Sequence, residues 1–413
     1  MRIRLTVLLG SLLLVGTGCA TGPSTTEIST GTTRTATPSG SVSVSLSVSV
    51  DPPPTTNAPT SSDATPPPPP KSKAQQVLDT MSLAERVGQL MMVDCPSTQL
   101  SSQSVEAIQR LHVGSVILDG TSHAGLAATA EITSGLERSN PSPAKLFIAS
   151  DQEGGLVQRL QGEGFSDIPS AVVQGGYAAG TLQSDWKRWG GELKAAGVNV
   201  NLAPVLDTVP AGFGSNPPIG DLDRQYGNTP KAVTTHGIAA AEGLRAAGVA
   251  PTVKHFPGLG RTRGNTDTTG GVVDSVTTPD DPYLAPFAAA VDAEVPFVMM
   301  STAVYSKLDP DNPAAFSPTI IGHLLRSQLG FTGIVISDDI GAAAQVAALS
   351  PGERAVAFVA AGGDIVLTVD PSTNQPMVSA LVARAKSDPA FRRLVDAAAL
   401  RVLTVKEAFG LLN

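Results

Sequence analysis

Cysteine, histidine and aromatic residues are what this 413-residue chain has least of: two, five and 4% respectively. Charged residues, at 15%, also fall short of the about one quarter usual in globular proteins. With only Cys19 and Cys95 present, and Cys19 marked for another fate below, no disulfide framework is available and stability must come from a conventional core. Cys95 itself reads as a small buried hydrophobe near a strand end. The histidines, at 112, 123, 236, 255 and 323, lack a ligand spacing such as His-x-x-x-His, so no metal is implied. No Gly-rich loop runs into Lys-Ser/Thr and no Gly-x-Gly-x-x-Gly follows the first apolar run, so no cofactor is implied either. His112 and His323, both in helical stretches, read as surface or packing residues.

The missing charge has a location. Of residues 20–73, 23 are Ser or Thr, 11 are Pro and none is aromatic. Such a stretch buries too little apolar surface to offset its backbone entropy, and is expected to be a disordered tether with a stiff Pro66–Pro70 rod. Ahead of it, Met1-Arg-Ile-Arg, an apolar run from Leu5 to Val15 and small residues before Cys19 read as an export signal, too short to span a bilayer as a helix. Cysteine directly after those small residues resembles a bacterial lipobox, which implies a lipidated Cys19 and an anchored protein at the outer face of the cell membrane. The expected organisation is therefore a signal at 1–18, a tether at 19–73 and a folded body at 74–413. That body carries a net charge of −10, which argues against nucleic acid and anionic lipid as partners but not against a neutral sugar.

From residue 74 onward, eight short apolar runs alternate with helix-like stretches: Gly88–Asp94, Val113–Gly120, Lys145–Asp151, Val198–Asp207, Val249–His255, Pro296–Ser301, Gly333–Asp338 and Asp364–Asp370. Between them lie amphipathic or Ala-rich segments such as Ser102–Leu111, Lys231–Ala247 and Pro318–Gln328, and Phe391–Phe409 forms a last helix. Continuous apolar strands belong to parallel sheets covered by helices on both faces. Eight such units predict an α/β fold of the (β/α)8 TIM-barrel type, as a single domain. Polar residues end the runs: Asp94, Asp119, Asp151, Asp207, Lys254-His255, Ser301, Asp338 and Asp370. In a barrel they share the rim where active sites form. Asp94 and Asp370 are expected to be helix caps.

Three segments carry a family pattern. Asp151-Gln152-Glu153-Gly154-Gly155 with Val157-Gln158-Arg159-Leu160, then Lys254-His255-Phe256-Pro257-Gly258, then Gly333-Ile334-Val335-Ile336-Ser337-Asp338-Asp339 together resemble glycoside hydrolase family 3 from about Ser82 onward. Within it they look like the single-domain bacterial β-N-acetylglucosaminidases that trim cell-wall sugars. The resemblance implies a retaining hydrolase acting on N-acetylglucosamine-containing muropeptides, and the chain is expected to be a monomer. It places Asp338 as nucleophile and Asp151, Arg159, Arg224, Lys254 and His255 around the sugar, with Asp339 in a structural role. Such chemistry needs a carboxylate under the anomeric carbon and a proton donor at the leaving oxygen. Taken alone, Arg224 equally fits a surface ion pair, and Lys254 a partner for Asp207.

The departure lies in the loop after the fifth run. This branch ordinarily has a histidine two positions after an aspartate there, as acid/base. Here Gly258 to Thr269 is longer by about two residues, with Thr269 where the histidine should be; Leu259 and Thr302 also replace family histidines. A threonine hydroxyl is too weak an acid to substitute. Three readings follow: Asp267 is the candidate acid/base itself, a histidine from elsewhere or a substrate group substitutes, or most hydrolytic power is lost. Two alternatives stay open: a muropeptide-binding lipoprotein with little or no hydrolase activity, and a β-glycosidase of different glycone preference.

Overall fold

The computed structural model describes residues 71–412, which fall within one compact unit, residues 68–413. The expected signal at 1–18, Cys19 and the tether through residue 70 lie outside the described residues. The folded part begins slightly earlier than expected. The Ser72 hydroxyl accepts from Gln75 N and starts a helix at Lys73–Thr80, one residue inside the predicted tether.

The eight apolar runs form eight parallel strands: β1 (Met91–Pro96), β2 (Ser115–Asp119), β3 (Phe147–Ser150), β4 (Val200–Asn201), β5 (Ala250–Phe256), β6 (Phe297–Met300), β7 (Ile334–Asp339) and β8 (Ile365–Thr368). Each pairs with its neighbours in sequence, and β8 returns to β1 through Met91↔Val366, Met92↔Leu367 and Val93↔Thr368, closing the barrel. The (β/α)8 fold is therefore observed. The runs are unbroken because each strand has two apolar faces. Met92, Ile117, Phe147, Ala149, Val200, Phe297, Met299, Ile334, Ile336, Ile365 and Leu367 fill the barrel interior, with Phe147 and Phe297 edge to face at 5.3 Å. Their neighbours Val93, Val116, Ile148, Val253, Val298, Val335 and Val366 belong to the larger layer beneath the helices.

Expected helices recur with small shifts, Ser102–Leu111 unchanged and Lys231–Ala247 as Pro230–Ala246. The segment expected as an ordinary helix at Pro318–Gln328 is wound as a π-helix over Thr319–Gln328, Leu329 N bonding to Leu324 O. Four α-helices had no counterpart in the expectation: Lys73–Thr80, Leu83–Gln89, whose Ser82 and Glu85 cap each other reciprocally, the short Ala171–Gln174, and Asn374–Ser387.

The fold has a working end and a closing end. After β3 comes a small hairpin, Gln152–Gly154 with Val157–Gln158; after β5 and β6 a three-stranded sheet forms from Val273–Asp274, Val304–Tyr305 and Asp309–Pro313. At the opposite end, where strands begin, both ends of the described chain are tied down. Glu407 accepts from Lys73 N and Ala74 N, Lys73 Nζ bonds to Leu412 O, and Lys145 N, just ahead of β3, bonds to Leu411 O. Lys406 is fully buried there, donating to Gln89 Oε1 and Gly114 O and lying 5.2 Å from the centre of the Phe147 ring.

Candidate active site

A cavity of about 460 Å³ opens at the strands' C-terminal ends, lined among others by Asp119, Asp151, Arg159, Arg224, Lys254, His255, Asp267, Asp338 and Asp339. One side is a lattice of opposite charges. Lys254, in β5 and 2% exposed, reaches Asp151 Oδ1 at 2.6 Å and Glu153 Oε1 at 2.7 Å. Arg224 grips Glu153 with two bonds, Nε to Oε2 at 2.8 Å and Nη2 to Oε1 at 2.7 Å, and donates Nη1 to Pro218 O. Its loop reaches the site through a turn at Gly220–Leu222 and Asp223 in the left-handed region. Burial opposes the charge on Glu153, yet Arg224 and Lys254 outweigh it and hold the carboxyl at about 2. Burial likewise pushes the Lys254 ammonium down, but Asp151 and Glu153 keep it above its ordinary value. Arg159, on the hairpin side, has no such partner: its Nε is buried without a hydrogen bond among the described residues.

Beside Lys254, the His255 ring is fixed from behind. Its Nδ1 lies 2.6 Å from Oδ2 of the fully buried Asp207, whose Oδ1 accepts from His255 N and Leu259 N. With Nδ1 engaged, Nε2 is the nitrogen left for the cavity.

Across the cavity, at the end of β7, stands half-buried Asp338. Among the described residues its carboxylate has one hydrogen bond, from Asp339 N, 2.9 Å to Oδ1. Burial and the negative charge of Asp267 push its carboxyl up to about 6, against the pull of His255 and Lys254. Asp339 turns away into structure: its Oδ1 accepts from Gly341 N and Val369 N, linking β7 to the end of β8, while Ala342 N bonds to both oxygens. Asp267 is exposed at the cavity lip, on the loop that follows β5. The arrangement offers one carboxylate within the cavity, a second at its lip, and a charged wall suited to hydroxyl groups.

Residues 82–405 match the glycosyl hydrolase family 3 N-terminal domain. The chain belongs to glycosyl hydrolase family 3. A beta-hexosaminidase of Xanthomonas axonopodis pv. citri is 33% identical over 330 residues, covering 75% of this chain and 92% of that protein. The crystal structure of a beta-N-acetylhexosaminidase from Beutenbergia cavernae superimposes with a TM-score of 0.78 at 50% identity, over 79% of this chain and 99% of that one. A family 3 beta-N-acetylglucosaminidase from Paenibacillus sp. superimposes with a TM-score of 0.74 at 31% identity, over 80% of this chain and 63% of that one. Membership makes this chain a glycoside hydrolase.

All seven residues singled out from the sequence, Asp338, Asp267, Asp151, Arg159, Arg224, Lys254 and His255, line this one cavity of the family 3 barrel. The two open pairings are resolved. Arg224 is no surface ion pair but the half-buried partner of Glu153, and Lys254 pairs with Asp151 and Glu153 while Asp207 pairs with His255. Asp370 caps the turn at Pro371–Thr373 as expected. Asp94 does not cap: β1 continues two residues past it to Pro96, so it stays a strand residue, its carboxyl raised to about 6 by burial and by Asp119 and Asp370. Thr269 is exposed and does not line the cavity, whereas Thr302 is fully buried. Two carboxylates carry roles the sequence reading does not assign: Glu153 anchors Arg224 and Lys254, and Asp207 holds His255.

Proposed function

We propose that this chain is a retaining β-N-acetylhexosaminidase that removes terminal β-linked N-acetylglucosamine, with peptidoglycan fragments as its natural substrates. The observation that carries the reading is Asp338: a carboxylate with one backbone partner, inside a cavity whose facing wall is the Asp151–Lys254–Glu153–Arg224 lattice. The ionised Asp338 attacks the anomeric carbon while Asp267 gives its proton to the departing oxygen, leaving a glycosyl ester on Asp338. Water then attacks that carbon as Asp267 takes its proton, the ester bond breaks, and the sugar leaves with its configuration retained. Asp151, Arg159, Arg224, Lys254 and His255 hold the ring hydroxyls by charge-assisted bonds. Arg159, whose guanidinium has an unpartnered buried Nε, is the group with most to gain from a ligand oxygen.

Incubation with a 5-fluoro-N-acetylglucosaminyl fluoride tests the reading. A covalent adduct on the peptide containing Asp338 is expected. No adduct, together with tight binding of N-acetylglucosamine, would instead support the binding-only reading that Thr269 suggests.

The same proposal places the protein outside the cell as a monomer, held by a lipid on Cys19. What supports this is the signal-like Leu5–Val15 run and the small residues ahead of Cys19. A Cys19→Ser variant should be released into the medium; full retention in the membrane fraction would refute the anchor.

A further inference from the structure

The loop that presents Asp267 is held in two different ways. Its first half is built into the barrel. Tyr305 Oη donates to Gly258 O, Leu259 N donates to Asp207, Asn216 Nδ2 donates to Leu259 O and Thr262 O, and Arg261 reaches Thr277 and Asp281. Beyond Asn265 these contacts stop, and residues 267–271 are exposed. What holds this second half is the segment just after β7, the strand that ends in Asp338. Ala344 N donates to Asp267 O at 3.0 Å and Gln345 N to Thr266 O at 3.1 Å. The Gln345 side chain then spans to the far end of the loop, its Oε1 accepting from Val272 N at 2.8 Å and its Nε2 donating to Val272 O at 3.2 Å. One half-buried glutamine thus grips the loop on both sides of its exposed tip.

We propose that Gln345 is a positioning residue for the reaction, clamping the acid loop to the segment that follows the nucleophile so that Asp267 is set at the leaving-group side of Asp338. The proposal rests on the reading of Asp267 as acid/base. Its physical basis is that Asp267 stands alone. No second side chain hydrogen-bonds its carboxylate among the described residues, and its own backbone bonds run to Asn265 Oδ1 and Ala344 N. Orientation must therefore come from the backbone, which Ala344 N and Gln345 N hold at Asp267 O and Thr266 O, while the Gln345 side chain ties that same segment to Val272 at the loop's far end, where Val304 N also donates to Val272 O. Reacting groups lose catalytic effect steeply with misplacement of about 1 Å.

The test compares Gln345→Ala, Asp267→Ala and the double variant on two substrates. N,N′-diacetylchitobiose has a leaving group that needs a proton, and 2,4-dinitrophenyl N-acetyl-β-glucosaminide has one that does not. Gln345→Ala is expected to lower kcat/KM on the disaccharide by about tenfold and to leave glycosylation by the dinitrophenyl substrate within about twofold. The double variant should be no slower on the disaccharide than Asp267→Ala alone, since a clamp without its acid has nothing to position. Gln345→Glu keeps the acceptor for Val272 N and loses the donor to Val272 O, and an intermediate loss is expected if the alanine variant fails to fold. Equal losses on both substrates, or losses that multiply in the double variant, would show a merely structural glutamine and overturn the clamp. Full disaccharide activity in Asp267→Ala would overturn the acid assignment and the clamp with it, whereas a slow Asp267→Ala beside an unaffected Gln345→Ala overturns the clamp alone.

Discussion

Asp338 keeps a single hydrogen bond, so its titration is governed by what surrounds it. Burial and Asp267 raise it to about 6, and only the ionised form can attack. On a dinitrophenyl N-acetyl-β-glucosaminide, whose leaving group needs no proton, kcat/KM should therefore rise with pH to a plateau, with its acid limb centred near 6; a limb near 4 would show that burial and the neighbouring charge do not act. Asp338→Ala should lower turnover by at least about a thousandfold. Glu153 is the residue that holds the binding wall together. Glu153→Gln leaves Arg224 and Lys254 buried beside a neutral amide, and should cost about 3 kcal/mol in urea unfolding while raising KM for aryl N-acetylglucosaminides. Its role was legible in principle. Asp151 and Glu153 stand two apart in an extended segment, so both carboxylates point to the same side, where a single lysine can meet both. What hides it is position: the apolar run ends at Asp151, and Glu153 lies in the hairpin beyond. The pairing of His255 with Asp207 rather than with a loop residue was not legible, since it depends on β4 and β5 meeting in register.

At the scale of elements, the strands were readable because a barrel strand has no polar face, and eight unbroken apolar runs leave few other folds. Helices were readable where a stripe was broad and missed where it was thin. Asn374–Ser387 buries Met377, Val378, Leu381 and Ala385, but Pro376 and a polar first turn obscure the spacing. Asp94 departs from the expected cap because β1 runs on to Pro96, although an aspartate after an apolar run is most often a cap. What knits the elements together is Asp364, at the start of β8. Fully buried, it accepts from Arg326 on the π-helix, Arg401 on the last helix and Val335 N of β7. Asp364→Asn removes the charge shared by both arginines and should lower unfolding free energy by about 3 kcal/mol with little change in KM, as seen by denaturation and steady-state kinetics side by side.

Across the whole molecule, the closed end of the barrel carries a fully buried lysine, Lys406. Burial lowers the Lys406 ammonium to about 7, with only Glu137 acting the other way. Its folded-state value lies below that of the unfolded chain, so the folded protein holds fewer protons between the two. Stability should rise with pH through about 7, by about 2 kcal/mol from pH 6.5 to 8.5, and Lys406→Met should flatten that slope in urea melts at the two pH values. A chain starting at Lys71 keeps the Ser72 cap and the Glu407 contacts, and should match the full-length protein in both melting temperature and kcat/KM; one starting at Ala74 loses the cap and should melt lower. The meeting of Lys73, Glu407, Leu411 and Leu412 where the strands begin also decides how the molecule can be handled. A bead, a fused partner or a lipid joined at either end grasps the barrel from behind, and the cavity still faces outward toward substrates too large or too fixed to diffuse to it.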